Sequence, residues 1–226
     1  MSPQAILFDL DGTLIDSAPS ILEGFARALE REGLQAAVPL APSLIGPPLP
    51  KTLATLAGTT DPEVITRLAS AYREAYDGGG YRQTAVYPGV PAMLQTLATQ
   101  PIALHIVTNK RIAPTRLILD HLGWTRWFQG IYALDALEPA APHKSALVSA
   151  VMQRESLVQT HTWMVGDSAE DRSAAESNGL RFFSATWGYG TAVSAASAAS
   201  GAAGSDGLRT PDELLQFART GARTGA

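Results

Sequence analysis

The chain has no cysteine, which excludes disulfides, thiol nucleophiles, iron–sulfur clusters and cysteine-based zinc sites. It also lacks a strong charge of either sign: 17 Lys and Arg stand against 21 Asp and Glu, a net charge of −4. That balance argues against broad binding to nucleic acid or to anionic membranes. No apolar run reaches the roughly 18 residues of a membrane helix, and no basic-then-apolar leader opens the sequence. A soluble cytoplasmic protein is expected. Lysine is scarce, being confined to Lys51, Lys110 and Lys144.

The chain does have 226 residues, of which 46% are hydrophobic. That suits a globular core domain carrying a smaller companion. Ala5 to Phe8 is a continuous apolar run ending at Asp9, the pattern of a strand buried on both faces of a parallel sheet. Ile102–Thr108, Thr162–Val165 and Arg181–Ala185 look alike. Helical periodicity follows each of the first three runs, so the spacing predicts an α/β fold with a doubly wound, Rossmann-like parallel sheet.

Residues 17–83 interrupt that alternation. Ser17 is placed to cap a helix carrying Ile21, Leu22, Phe25, Ala28 and Leu29 at helical spacing. Leu49, Leu53 and Leu56 indicate a second helix, and Asp61-Pro62 opens a third with Val64, Ile65, Leu68 and Tyr72. Roughly 70 helical residues exceed one crossover connection. The expected division is therefore a core of residues 1–16 and 84–226 with an inserted α-helical cap over 17–83. Hinges are expected near Ile15-Asp16 and between Gly78 and Tyr87. The Ala/Ser/Gly stretch 191–207 reads as a mobile loop, Pro211–Arg219 as a last helix and 220–226 as a frayed end.

Four segments carry chemistry. Asp9 and Asp11, in Phe8-Asp9-Leu10-Asp11-Gly12-Thr13-Leu14, stand where a buried strand runs out, and open parallel sheets bind ligands at that edge. The plainer alternative is an Asp-Gly turn. Asp167 ends a second apolar strand in Val165-Gly166-Asp167-Ser168, with Asp171 one helical turn on. Helix capping would explain that pattern equally well. Taken together, four convergent carboxylates would repel one another unless a cation sat among them, and an all-oxygen set suits Mg2+. Thr108-Asn109-Lys110 offers a hydroxyl and backbone N–H groups at a strand end. These suit either phosphate binding or ordinary capping. Lys144, in His143-Lys144-Ser145, is either a charge partner for such a pocket or a solvated helix-start lysine.

These residues resemble the haloacid dehalogenase-like hydrolases, in the phosphoglycolate-phosphatase-like branch with a helical cap. The motifs are Asp9-Leu10-Asp11-Gly12-Thr13-Leu14, then Thr108-Asn109-Lys110, then Gly166-Asp167 with Asp171. Ile45-Gly46-Pro47-Pro48-Leu49 looks like the cap's substrate-facing loop, and Trp187-Gly188-Tyr189-Gly190 resembles a segment of the same branch. Many relatives carry Lys-Pro where Glu138-Pro139 stands here. Others place the lysine at the next helix start, so the resemblance transfers that role to Lys144, with Lys110 as the fallback.

The resemblance implies a Mg2+-dependent phosphatase acting on a small phosphorylated metabolite through an aspartyl-phosphate. Asp9 would be the nucleophile and Asp11 the general acid and base. Thr108, Asn109 and Lys144 would bind phosphate. The metal would be held by Asp9, the Asp11 backbone carbonyl, Asp167 and, through water, Asp171. Gly46 and Lys51 would face the substrate, with Lys51 holding a second anionic group. A second acid at position 11 argues against carbon-attacking dehalogenases and against phosphonate-cleaving relatives. A sugar-phosphate mutase, a pyrophosphatase, a 5'-nucleotidase and a binding protein without turnover are the alternatives. No nucleic-acid or membrane partner is expected, and either a monomer or a homodimer fits.

Overall fold

The computed structural model describes residues 2–190 and 205–220. Its centre is β1 (Ala5–Phe8), whose four residues are all buried. Its apolar run is continuous because both faces are covered. Ile6 and Phe8 point into one hydrophobic cluster and Leu7 into the other, as the two-residue period of a strand requires. The chain continues through β2 (Ile15–Asp16), α1 (Ala18–Arg31), α2 (Leu49–Ala57), α3 (Pro62–Asp77), β3 (Ala85–Val86) and α4 (Val90–Ala98). Then come β4 (Ala103–Thr108), α5 (Ile112–His121), β5 (Gly130–Ala133), α6 (Lys144–Arg154), β6 (Thr162–Gly166), α7 (Ala169–Ser177) and β7 (Arg181–Ala185). The last described elements are β8 (Ser205–Leu208) and α8 (Pro211–Thr220).

Six strands form one sheet in the order β5-β4-β1-β6-β7-β8, and every pairing in it is parallel. Leu147 and Val148 of α6 and Ala174 of α7 cover one face. Met93 of α4, Ile118 of α5 and Leu214 of α8 cover the other. Each buried Leu, Val, Ile or Met side chain among these contributes about 1.5–3 kcal/mol relative to exposure. This is the doubly wound α/β core that the strand–helix alternation predicts.

Helices α1, α2 and α3 form the inserted cap. It is joined to the core through the short antiparallel pair β2–β3, with Ile15 opposite Val86 and Asp16 opposite Ala85. The α1 and α3 stripes meet through stacked rings, with Phe25 and Tyr72 centroids 4.9 Å apart and Tyr72 and Tyr76 5.3 Å apart. Asp61 caps α3 by accepting from the Glu63 N–H at 2.9 Å, with Pro62 at the first helical position.

Three expectations need correction. Ser17 precedes α1 but makes no side-chain cap; its hydroxyl donates to Asp11 instead. The free N–H groups of Ser17 and Ala18 donate to the Tyr189 hydroxyl at 2.7 and 2.8 Å. Strand β5 is absent from the sequence reading, since Gly130 opens it and only four residues follow the pattern. The loop expected over 191–207 includes residues of β8, whose Ser205–Leu208 stretch lacks an apolar run. Of the expected frayed end at 220–226, Thr220 ends α8, and residues 221–226, like 191–204, lie outside the described residues. Among the described residues, no helix is long and apolar enough to cross a membrane.

Candidate active site

Because β1, β4 and β6 are adjacent and parallel, their carboxyl ends share one edge. Asp9 follows β1, Thr108 ends β4 and Asp167 follows β6. The site's acids and its hydroxyl therefore converge although they are far apart in the chain. Lys144 joins them from the first turn of α6, which His143 caps by accepting from the Ala146 N–H at 3.2 Å.

The Lys144 ammonium lies 2.6 Å from Asp9 Oδ1 and also forms an ion pair with Asp171. All three residues are buried. The other Asp171 oxygen accepts from the Ser168 N–H at 3.0 Å and from the Ser168 hydroxyl at 2.6 Å, completing a capping box at the start of α7. Asp171 thus takes part in the capping box and also pairs with Lys144. Ser168 does the capping, and Asp167 does not.

Asp167 Oδ2 accepts from the backbone N–H groups of Tyr189 and Gly190 at 2.8 and 3.1 Å. The backbone comes this close only because side chains are missing. A Cβ on Gly12, whose φ is +85°, would fall 2.3 Å from Asp167 Oδ2, and one on Gly188 would fall 2.4 Å from Asp167 Cβ. Small residues here let the backbone grip the carboxylate.

Asp11 stands apart from the other acids. Lys110 Nζ lies 3.1 and 3.2 Å from its two oxygens, and Ser17 donates to one of them. The expected convergence of four carboxylates is thus a cluster of three, with the fourth turned to its own lysine. Both lysines reach the site, each holding a different acid of the first motif.

Oxygens of Asp9, Asp167 and Asp171 lie within 4.8 Å of one another and are buried. Three carboxylates face one ammonium, so the donor set fits a hard divalent cation. In the chain alone, burial pushes the Asp9 carboxyl well above the usual range. Lys144 opposes that shift, and Asp171 and Asp167 add to it. Burial and then Asp171 push Asp167 up to about 6, against the pull of the Gly190 N–H. Burial works to lower the pKa of Lys144, but Asp171 and Asp9 outweigh it and raise the value. Lys110 is likewise raised, with Asp11 outweighing burial.

A cavity of about 270 Å³ opens over these groups. Asp9, Asp11, Thr108, Asn109, Lys110, Lys144 and Asp167 line its core side, and Gly46 lies on its cap side. Three consecutive core residues tie it to the cap. Asn109 Nδ2 donates to the Gly46 carbonyl and to Glu170, each at 2.9 Å. Lys110 sits 4.6 Å from the Tyr76 ring centroid, and Arg111 binds both oxygens of Asp77 at 2.7 Å.

Lys51 is not part of the lining: it is exposed on the first turn of α2. The expectation that it holds a second anion is corrected. Sequence reasoning missed Ser17, Glu170 and the Arg111–Asp77 pair. Only the position of Arg111, next to Lys110, hinted at any of them.

Residues 6–185 match the family model of haloacid dehalogenase-like hydrolases. The chain belongs to that family. The tyrosine-protein kinase PtkA of Mycobacterium tuberculosis is 34% identical over 195 residues, 84% of this chain and 65% of PtkA. This chain therefore spans just under two thirds of that relative's length. The phosphoglycolate phosphatase of Rhodobacter capsulatus is 35% identical over 202 residues, covering 84% of this chain and 86% of the relative. Among solved structures, a haloacid dehalogenase-like hydrolase from Streptococcus pneumoniae superposes with a TM-score of 0.80 at 26% identity. The match covers 95% of this chain and 98% of that one.

Proposed function

We propose that this chain is a phosphatase that hydrolyses a small phosphate monoester through an aspartyl-phosphate on Asp9. The observation that carries the reading is Asp9 itself: a buried carboxylate at a strand end, held 2.6 Å from Lys144 on the floor of the cavity. The phosphoglycolate phosphatase relative supports it. In the first step an Asp9 oxygen bonds to phosphorus, the ester oxygen leaves, and Asp11 supplies its proton. In the second, water attacks the same phosphorus, Asp11 takes the water's proton, and phosphate departs from Asp9.

Asp9, Asp167 and the Asp11 backbone carbonyl would hold Mg2+, with Asp171 reaching it through water. Bound there, the cation would offset the charge shared by nucleophile and phosphate. Both Asp171 oxygens already have partners, so its main work is to position Lys144 against Asp9. Thr108 and the Asn109 N–H would bind non-bridging oxygens at the β4–α5 turn. Lys144 would add a charge to them, and the cap would exclude bulk water.

The test is release of inorganic phosphate from a panel of phosphorylated metabolites with Mg2+, and again with excess chelator. Release that the chelator stops, with label trapped on Asp9, supports the reading. An isomerised ester without release would mark a mutase instead. Turnover unaffected by chelation would overturn the metal assignment.

A further inference from the structure

We propose that the alcohol half of the substrate is uncharged and carries a planar, ring-bearing body. The inference rests on the phosphatase reading and concerns the cap side of the same cavity. Among the described residues, no cap residue that lines this cavity is charged. Its cationic lining is Lys110, Arg111 and Lys144, and each already has a carboxylate. Lys144 holds Asp9 and Asp171, Lys110 holds Asp11, and Arg111 is bidentate to Asp77. Lys51 is exposed and does not line the cavity. A second carboxylate or phosphate on the alcohol would lose water without gaining a counter-charge, and burying an unpaired charge is strongly unfavourable.

The cap offers a different kind of contact. Phe25, Tyr72 and Tyr76 all line the cavity and run as one stacked series, with interplanar angles of 30° and 9°. Ile21 and Leu49 line the same side. Their faces are taken up by one another and by Lys110, so this aromatic and aliphatic wall favours a flat apolar group by the area it buries. The phosphate end is then read by the strand edge, and the alcohol end by shape and apolar contact.

The experiment compares two primary-alcohol esters that differ by one charge, benzyl phosphate and 4-carboxybenzyl phosphate, using the full chain with Mg2+. The expected result is a kcat/KM about 100-fold higher for benzyl phosphate. Ethyl phosphate, which lacks the ring, should show a KM about tenfold higher than benzyl phosphate. Equal or better turnover of the carboxylate ester, through Arg111 leaving Asp77, would overturn the proposal and leave the phosphatase reading standing. Release from none of these esters, nor from 4-nitrophenyl phosphate, would overturn both.

A gain-of-function variant gives a second arm. Ser43 is exposed and lines the cavity from the cap, so Ser43→Lys adds a cation there without disturbing the core. It should move the ratio of the two benzyl esters about tenfold toward the carboxylate ester. An unchanged ratio would place the alcohol away from the cap wall and defeat the proposal.

Discussion

The Lys144 ammonium sits 2.6 Å from Asp9 Oδ1 while pairing on its other side with Asp171. One buried cation thus bridges the proposed nucleophile and Asp171. Lys144→Met should lower phosphate release by about 1000-fold and destabilise the metal-free protein by about 3–5 kcal/mol, as breaking a buried ion pair does. Lys110→Met should cost less in turnover, about 100-fold, because its partner Asp11 keeps the Ser17 hydroxyl. Rates and denaturation midpoints of both variants decide the matter. The reverse order of rates would give the central lysine role to Lys110.

Metal binding should show in stability as well as in rate. Saturating Mg2+ at about 100 times its Kd should stabilise the fold by about 2.7 kcal/mol. A chelator should remove both that gain and the activity, and Ca2+ should restore activity poorly because its coordination is larger and looser. Melting curves insensitive to Mg2+ would count against the Asp9–Asp167 site.

The raised Asp167 pKa has a definite sign. Folded, the group holds its proton up to about pH 6; unfolded, it loses it near pH 4. The native state therefore binds the extra proton across that window, and Asp167's contribution to stability falls as pH rises from 4 to 6. Asp167→Asn removes the effect. In metal-free protein the variant should match the wild type near pH 4 and exceed it by about 3 kcal/mol above pH 6. A difference that is flat with pH would mean the carboxylate is ionised throughout.

Gly12→Ala tests the tight approach to Asp167. A methyl group would meet Asp167 Oδ2 at 2.3 Å, and φ at +85° is strained for alanine. The expected outcome is a loss of Mg2+ affinity larger than the loss of stability, read by titration calorimetry and thermal melting. Unchanged affinity would show that Asp167 can shift without consequence.

Tyr189→Phe tests the junction between core and cap. Its hydroxyl accepts from Ser17 and Ala18 and donates to Asp16 at 2.9 Å. Removing it leaves the Ser17 N–H unpaired, while Ala18 keeps its 3.2 Å bond to Asp16 Oδ1, at a cost of about 1–3 kcal/mol. A denaturation midpoint equal to the wild type would mean that water replaces the hydroxyl fully.

The strand-end acids Asp9 and Asp167 were legible in the sequence because each follows an apolar run that can only be a buried strand. The cap helices were legible through the spacing of Phe25, Leu53, Tyr72 and their neighbours. Strands β5 and β8 were not, since a four-residue edge strand bearing glycine carries too little pattern to register. Pairing was equally hidden. Nothing in residue order says that Lys110 turns to Asp11 while Lys144 turns to Asp9, or that Lys51 faces solvent. The capping of α1 misled for a related reason. Ser17 has the composition of a cap, but a nearby carboxylate competes for its hydroxyl and a tyrosine serves the helix start in its place.

The position of β1 between β4 and β6 means that no contiguous half of the chain contains the chemistry. A cut in the connection after α6 would leave Asp9, Asp11, Thr108 and both site lysines on one fragment, and Asp167 and Asp171 on the other. Each piece would be inert alone. Activity in their mixture would report directly on whether β6 had docked beside β1, making this chain a candidate for a split reporter whose signal is the reassembly of its own sheet.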